Sequence, residues 1–284
     1  MIYGLPYKGS KNQIAEKIVE ALPSGTNFVD CGFGGGSIIH AAALSDKYKT
    51  VTGYDINKAI IGLIQATMID FDKIDYENFP AISKEQFYEA RNRNETLMDW
   101  LIRYTASFGY NGMEYLWGEN RVKYKTLIHN AVALSTVEER RCAIREFIGL
   151  LIKDKLSDSE LKNLTHNEQV TNLNRFHEVE NIMKNRTTKT KLEVVCGSMF
   201  EIPFEKYDVI YFDPPYYDTK GYNGQKFSSI MFKALLKVLV DSGKTVFVSE
   251  YNMPADGFTE IKSFSKQMTQ CSNNNIEVVE KLFY

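Results

Sequence analysis

The sequence has few cysteines and histidines, and none of them is spaced as a metal site requires. Four cysteines and four histidines occur in 284 residues, without a CxxC pair or two histidines at ligand spacing. This scarcity argues against a structural zinc site and against a disulfide framework, and it is typical of a reducing compartment. We therefore expect no metal and a cytoplasmic location.

Long apolar runs and a net positive charge are also missing. No window reaches the ~18 uninterrupted apolar residues of a membrane helix, and the start Met1-Ile2-Tyr3-Gly4 is not typical of a signal peptide. We expect a chain without a membrane segment. The net charge is −2, although residues 121–191 carry 14 Lys and Arg against 9 Asp and Glu. That local excess suits either a surface facing nucleic-acid phosphates or ordinary solvated helices.

Strands and helices alternate at both ends of the chain. Apolar periodicity predicts helices at 10–22, 37–44 and 59–69, and strands at 27–30 and 50–54. Strand patterns return at 192–195, 207–212, 245–249 and 277–284. This alternation predicts an α/β fold, a Rossmann-like sheet with helices on both faces.

A mostly helical segment interrupts this pattern between residues 71 and 191. Charged helices are predicted at 83–103, 137–155 and 157–184, and a loop rich in glycine and aromatic residues runs from Ser107 to Gly118. The aromatic residues Tyr110 and Trp117 in this loop suit either wedges between bases or core packing. We predict one domain built from residues 1–70 and 192–284, interrupted by an insert domain at 71–191.

The tetrapeptide Asp213-Pro214-Pro215-Tyr216 follows the apolar strand at 207–212. Two prolines fix the backbone and remove two donors, so the Asp213 carboxylate and the Pro214 carbonyl become fixed acceptors. A planar exocyclic amine that stacks on Tyr216 would donate to both. Such contacts favour the localised lone pair of a nucleophilic amine in the transition state. A plain end to the strand is the alternative, because consecutive prolines also terminate strands.

A glycine-rich turn follows the first strand and indicates a bound cofactor. Gly32, Gly34, Gly35 and Gly36 allow close backbone approach to a ligand. Asp55, about twenty residues further on, suits the hydroxyls of a ribose. Asp30 directly precedes the glycines, where it would repel a pyrophosphate but attract a cationic amino-acid group. S-adenosylmethionine therefore fits better than a dinucleotide, and a glycine-rich structural turn without a ligand is the alternative.

These segments together resemble the Dam-like DNA adenine methylases, particularly phage and prophage members. The resemblance is carried by Tyr7-Lys8-Gly9-Ser10-Lys11, by Phe28 to Gly36, by Tyr54 to Asn57, by Asp213 to Tyr216 and by Phe247 to Asn252. The insert stretches 107–109 and 115–118 are similar to phage-type members. The resemblance implies a methyltransferase sheet, S-adenosylmethionine as cofactor and double-stranded DNA as partner.

The resemblance also implies roles for individual residues. Catalysis falls to Asp213, Pro214, Pro215 and Tyr216, and cofactor binding to Tyr7, Lys11, Asp30, Gly32, Gly34, Asp55, Ser198 and Asp213. Ser198 stands where the family usually has an acid, so a weaker acceptor would face the cofactor adenine there. In the insert, Arg121, Lys123 and Lys125 are candidate DNA contacts, with solvated helix charges as the alternative.

We thus expect a site-specific enzyme that flips an adenine out of duplex DNA and methylates its N6. Cytosine-N4 methylation uses the same amine chemistry, and a catalytically silent DNA-binding protein or an RNA or small-molecule methylase are further alternatives. Residues 217–227 are either a mobile lid over the base or an ordinary surface loop. A monomer would suffice, in a bacterial or phage-infected cell, within a restriction-modification context.

Overall fold

Seven strands form one mixed sheet within the residues that the structure describes. In a computed structural model of the protein, these are residues 2–133, 136–157, 160, 164, 167–214, 227–252, 254–269 and 275–284. The order across the sheet is β3-β2-β1-β4-β5-β7-β6. Strands β1 to β5 pair in parallel, and β7 runs antiparallel to both β5 and β6. The strands are β1 (Asn27–Cys31), β2 (Thr50–Asp55), β3 (Lys191–Cys196), β4 (Val209–Phe212), β5 (Thr245–Glu250), β6 (Glu260–Thr269) and β7 (Asn275–Phe283).

The helices group into those that join the strands and those of the insert. Along the described parts of the chain, none of them is both long and apolar enough to cross a membrane. A π-helical turn, Gln65–Ile69, continues α3. The helices are α1 (Ala15–Ala21), α2 (Ser37–Leu44), α3 (Lys58–Ile64), α4 (Lys84–Arg93), α5 (Leu97–Thr105), α6 (Glu119–Ala133), α7 (Val137–Asp154), α8 (Glu168–Lys184) and α9 (Ser229–Asp241).

The central strand β4 shows why the sequence forms this sheet. All four of its residues are buried, as expected for a parallel strand inside a covered sheet. Its neighbours pack with α9 into one hydrophobic cluster, in which Phe232 and Leu236 contact the layer that includes Val29 and Phe212. The predicted Rossmann-like α/β sheet is confirmed by the strand order, which reverses direction between β1 and β4.

The chain divides into two compact units. The first contains the sheet and consists of Met1–Gly4, Ser10–Ile61 and Arg186–Tyr284. The second consists of Leu5–Gly9 and Gly62–Asn185, and its described helices are α4 to α8 with the last residues of α3. In the second unit, α6 packs on α7, and α8 packs on α5 and on the π-helical turn.

Several elements differ from those predicted, and three of the differences have a clear physical reason. Helix α1 begins at Ala15 and not at Ser10, because the Ser10 hydroxyl contacts the Ser37 hydroxyl and accepts from the Asn12 amide instead of capping α1. The predicted helix at 83–103 is two helices, because Asn94 adopts a left-handed conformation (φ 51°) and ends α4. Strand β6 was not predicted, since it is an edge strand in which charged residues interrupt the apolar pattern.

Asp99 fixes the break between α4 and α5, and its replacement by asparagine is expected to destabilise the second unit. Its carboxylate accepts from the Thr96 amide (3.0 Å), from the Glu95 amide (3.2 Å) and from Arg93 Nε (2.9 Å). The Arg93 hydrogen bonds hold the pKa of Asp99 well below its usual range. We expect Asp99→Asn to lower the free energy of unfolding by about 1–3 kcal/mol, measured by urea denaturation.

The pH dependence provides the control for this prediction. A lowered pKa in the folded state stabilises above the pKa of about 3.9 in the unfolded chain and is lost as the pH falls below it. The difference between wild type and Asp99→Asn should therefore shrink on acidification below about pH 4. A difference that stays constant down to pH 2 would contradict the assigned interaction.

Candidate active site

Several sequence-predicted residues of the first unit, among them Gly32 and Asp213, lie where the strand order reverses. Cys31 ends β1 and pairs in register with Phe212, which ends β4. Gly32 and Asp213 therefore follow neighbouring strand ends, and a Cβ built on Gly32 would lie 3.6 Å from the carbonyl oxygen of Asp213. In open α/β sheets this crevice is where ligands bind.

The glycine turn is shaped by its contacts with β2. The Gly32 amide donates to the Tyr54 carbonyl at 2.7 Å, and the Gly34 amide donates to Asp55 Oδ2 at 2.9 Å. Gly32 has φ 93°, a conformation that a side chain would make costly. The turn thus exposes backbone at the strand ends without side chains in the way.

Asp55, the predicted ribose contact, holds the glycine turn and the residues after β2 through its carboxylate. Its Oδ1 accepts from the Asn57 amide at 2.8 Å while Oδ2 holds Gly34. Burial raises the pKa of Asp55, and the amide donors of Asn57 and Gly34 oppose that shift. An ionised carboxylate offers about four lone-pair sites, so two amide contacts leave acceptor capacity for a ligand hydroxyl.

Asp30 is the buried acid of the site. It is 1% exposed, and within the described ranges its Oδ1 has no hydrogen-bond partner. Burial first, then the charges of Asp213 and Asp55, raise the pKa of Asp30 well above its usual value, while Lys11 opposes the shift. An orphaned buried carboxyl oxygen beside a glycine turn is the feature that a ligand ammonium would satisfy.

Lys11 contacts the predicted catalytic aspartate directly. Its Nζ lies 2.8 Å from Asp213 Oδ1 and 3.2 Å from Glu280 Oε1, and the lysine is 2% exposed. Burial lowers the pKa of Lys11, but Asp213 and Glu280 outweigh burial and the net shift is upward. Lys11 is therefore a buried cation that fixes Asp213, and its predicted contact with the cofactor stays a prediction.

The remaining predicted residues have other contacts or lie outside the described residues. Tyr7 belongs to the second unit, where its ring stacks on Tyr104 with centroids 5.9 Å apart. The Ser198 hydroxyl accepts from the Phe200 amide at 3.3 Å and caps a short 3₁₀ turn. Pro214 is buried. Pro215, Tyr216 and positions 217–226 of the predicted lid lie outside the described residues.

The predicted DNA contacts differ sharply in exposure. Arg121 is exposed and lines a groove of about 730 Å³ in the second unit. Lys123 is exposed, and its Nζ lies 2.7 Å from Asp154 Oδ2. Lys125 is 0% exposed and its Nζ lies 3.0 Å from Glu168 Oε2. That burial is the opposite of what a DNA contact requires, so we do not retain Lys125 in this role.

The aromatic residues of the loop at 107–118 also differ in exposure. Trp117 is 5% exposed and donates from Nε1 to Glu168 Oε2, so it belongs to the packed interior. Phe108 and Tyr110 are 48% and 41% exposed. Both line the groove with Arg121, together with Ser107, Gly109, Leu116, Trp117, Gly118, Glu119, Asn120, Lys125, Glu168 and Asn172.

Two carboxyls of the site were missed from the sequence. Glu250 ends β5, is 2% exposed, and burial first, then Asp213 and Glu280, raise its pKa to about 7. An acid that closes a buried parallel strand is a usable signal, because carboxyl ends of such strands meet at one edge. Glu280 is 0% exposed inside β7, and no sequence pattern marks it. Among the described residues no group of acids, cysteines and histidines is arranged to hold a metal.

Comparison with known protein families identifies the family of this chain. The sequence profile of the D12 class N6 adenine-specific DNA methyltransferases matches residues 7–282, nearly the whole chain. The chain belongs to this family. It is an enzyme that transfers a methyl group from S-adenosylmethionine to N6 of adenine in DNA, as the sequence predicted. Individually curated proteins provide no match to the sequence.

Solved structures similar to this methyltransferase include two of the rRNA methyltransferase AviRa from Streptomyces viridochromogenes. The 2.4 Å structure has 10% identity and a TM-score of 0.38, with 95% of this chain and 83% of that chain covered. The 1.5 Å structure has 10% identity and a TM-score of 0.41, with 98% and 86% covered. Similarity at this level of identity and TM-score does not indicate the substrate of this chain.

Proposed function

We propose that this methyltransferase acts on one adenine of a specific duplex sequence, which it flips into the crevice beside Asp213. The observation that supports the proposal is the position of Asp213, which directly follows the end of β4 and lies next to the glycine turn, its backbone carbonyl oxygen 3.6 Å from a Cβ built on Gly32. An adenine inside a duplex cannot reach such a crevice, because stacking and pairing hold it there. Flipping costs a few kcal/mol, which stacking contacts in a pocket offset.

The cofactor fits the residues that surround the glycine turn. Asp30 would hold the ammonium, Asp55 the ribose hydroxyls, and the backbone of Gly32 and Gly34 would approach the ligand closely. When bound, S-adenosylmethionine supplies a methyl group on a positively charged sulfur. Tyr7, Lys11 and Ser198 remain proposed contacts that follow from the family resemblance.

Asp213 and Pro214 would accept hydrogen bonds from the two N–H groups of adenine N6. Those bonds draw the nitrogen lone pair out of the ring, where it can form the new bond to carbon. Positioning supplies much of the acceleration, since the amine is held in one geometry. N6 becomes positively charged during the transfer, and the negative charge of Asp213 favours that state. Pro215 and Tyr216 are proposed to complete this pocket.

The insert at 71–191 is proposed to recognise the DNA sequence. Its support is the groove of the second unit, where the exposed rings of Phe108 and Tyr110 stand beside Arg121. Aromatic faces stack on bases, and arginine reads guanine edges or holds phosphates. Lys123 is exposed beside Asp154 and is proposed as a secondary phosphate contact.

Replacement of Arg121 by alanine is expected to weaken DNA binding roughly tenfold, as loss of one base or phosphate contact does. Fluorescence anisotropy with a labelled duplex measures the dissociation constant at fixed salt. Arg145→Ala is the matched control, because Arg145 is an exposed arginine on α7 that does not line the groove. Equal losses in both variants would indicate a diffuse charge effect and contradict the proposed role of the groove.

Incubation with labelled S-adenosylmethionine tests the proposed function as a whole. Duplex DNA, single-stranded DNA and RNA are supplied separately, and the products are digested to nucleosides. We expect N6-methyldeoxyadenosine from duplex DNA at one sequence context, which sequencing of the methylated product identifies. Label in 4-methyldeoxycytidine, in RNA, or in adenines of every context would overturn the proposal.

We further propose that the enzyme works as a monomer in the cytoplasm of a bacterial or phage-infected cell, where DNA and cofactor are both present. The similarity of residues 107–109 and 115–118 to phage-type members supports a phage or prophage origin. A restriction-modification role predicts that methylated DNA resists a nuclease of the same recognition sequence. Sedimentation of the enzyme with a duplex of one site measures its stoichiometry.

A further inference from the structure

Glu280 is a fully buried carboxylate that none of the steps above uses. It lies in β7, close to the end of the chain, and is 0% exposed. Its Oε1 is 3.2 Å from Lys11 Nζ, and the same ammonium is 2.8 Å from Asp213 Oδ1. One lysine therefore joins the proposed catalytic aspartate to a carboxylate on a different strand.

Fold stability alone does not explain Glu280. Moving a carboxylate and an ammonium out of water costs several kcal/mol each, and hydrophobic replacements of buried ion pairs are often neutral or stabilising. Lys11 already has a partner in Asp213 at 2.8 Å. The second carboxylate adds a further desolvation cost inside the sheet, which points to a role in the reaction.

Charge balance indicates what that role is. An ammonium paired only with Asp213 would neutralise the acceptor that the adenine amine needs. Glu280 takes a share of the Lys11 charge, since an ammonium has three donors. The three groups then carry a net negative charge, which favours an amine that becomes positive during methyl transfer.

We propose that Glu280 is a positioning residue of the methyl-transfer reaction, which holds Lys11 so that Asp213 stays aligned and negatively charged. This inference rests on the proposed role of Asp213. The other titratable groups of the cluster are Asp30 on β1, Tyr211 on β4 and Glu250 on β5. The charge of Glu280 contributes to the raised pKa of Glu250, so removal of that charge should lower the pKa of Glu250.

Glu280→Gln keeps the shape and removes the charge. We expect kcat to fall about tenfold or more, as when a partner that orients a functional side chain is lost. KM for cofactor and DNA should change less than about threefold, because Glu280 acts through Lys11 on the transfer step.

Glu260→Gln is the matched control. Glu260 also pairs with a lysine of β7, Lys281, at 2.9 Å, but both side chains of that pair are more than a third exposed. The same Glu→Gln change there should leave kcat as in wild type. A purely structural role of Glu280 would lower the thermal unfolding midpoint and cofactor affinity together with kcat.

A double-mutant cycle with Lys11→Met gives the second measurement. If Glu280 acts through Lys11, Glu280→Gln adds less than about a twofold loss in the Lys11→Met background. A multiplicative loss, or an unchanged kcat in Glu280→Gln, would overturn the inference. If Lys11→Met does not fold, the fall in kcat of Glu280→Gln at nearly unchanged KM decides. Full activity of Asp213→Ala would instead refute the proposed function on which the inference rests.

Discussion

Asp213→Ala is expected to lower the rate of methyl transfer by about a thousandfold while S-adenosylmethionine still binds. The carboxylate is the acceptor that meets the charge developing at N6, and removing one preorganised group of this kind typically costs about 10²–10³ in kcat. Lys11 keeps a carboxylate partner in Glu280 at 3.2 Å, so the buried ammonium is not left unpaired in the variant. The fold should therefore persist.

Single-turnover transfer of labelled methyl groups measures the rate, and calorimetry measures cofactor affinity. Asp208→Ala is the matched control, because Asp208 lies just before β4 and Asp213 just after it. The Asp208 carboxylate accepts from the Thr26 and Asn27 amides, each at 2.8 Å, at the N-terminal end of β4. Its loss is therefore expected to affect stability and not the site at the other end of the strand. Wild-type activity in Asp213→Ala would refute the assigned role.

The sheet was predictable because its buried strands carry unambiguous local signals. Strands β1, β2, β4 and β5 end at or within one residue of the predicted ends, because a glycine or an acidic residue lies at or directly after each end. The break between α4 and α5 was missed although Thr96 and Asp99 have the spacing of a capping box. A long run of polar helix formers hid that signal.

The predictable part of the site consists of residues at or just after the C-terminal end of a strand. Gly32 and Asp213 directly follow β1 and β4, and Asp30 and Asp55 lie within the last two residues of β1 and β2. Parallel strands bring their carboxyl ends to one edge of the sheet. Lys125 was misjudged because its burial depends on Glu168 of another helix. Glu280 meets Lys11 from the opposite end of the chain. Such pairings depend on tertiary packing and not on local sequence, so a single sequence does not reveal them.

The second large effect is expected at Asp30, which should make the affinity for the cofactor depend on pH. Burial and the nearby charges of Asp213 and Asp55 raise the pKa of Asp30 well above its usual value, with Lys11 opposing. The cationic end of S-adenosylmethionine beside Asp30 would lower that pKa again. Binding then ionises Asp30 and releases a proton, so affinity should fall as the pH is lowered. The α-amino group of the ligand titrates near 8 and stays protonated at lower pH.

Asp30→Asn removes the charge and keeps the size of the side chain. We expect cofactor affinity at pH 7 to fall by about 10–150-fold, the equivalent of 1.5–3 kcal/mol for a hydrogen bond to a charged group. The variant should also bind without proton release. Calorimetric titrations in buffers of different ionisation enthalpy measure both quantities in the same experiment.

Asp46→Asn serves as the control, because Asp46 is exposed and adopts a left-handed conformation (φ 55°) that asparagine tolerates. It should bind the cofactor like wild type, with the same proton release. Glu250, whose pKa is raised to about 7, is the other acid that could contribute to the pH dependence. Proton release that persists in Asp30→Asn and vanishes in Glu250→Gln would transfer the effect to Glu250. In that case, the ammonium of S-adenosylmethionine would not bind at Asp30.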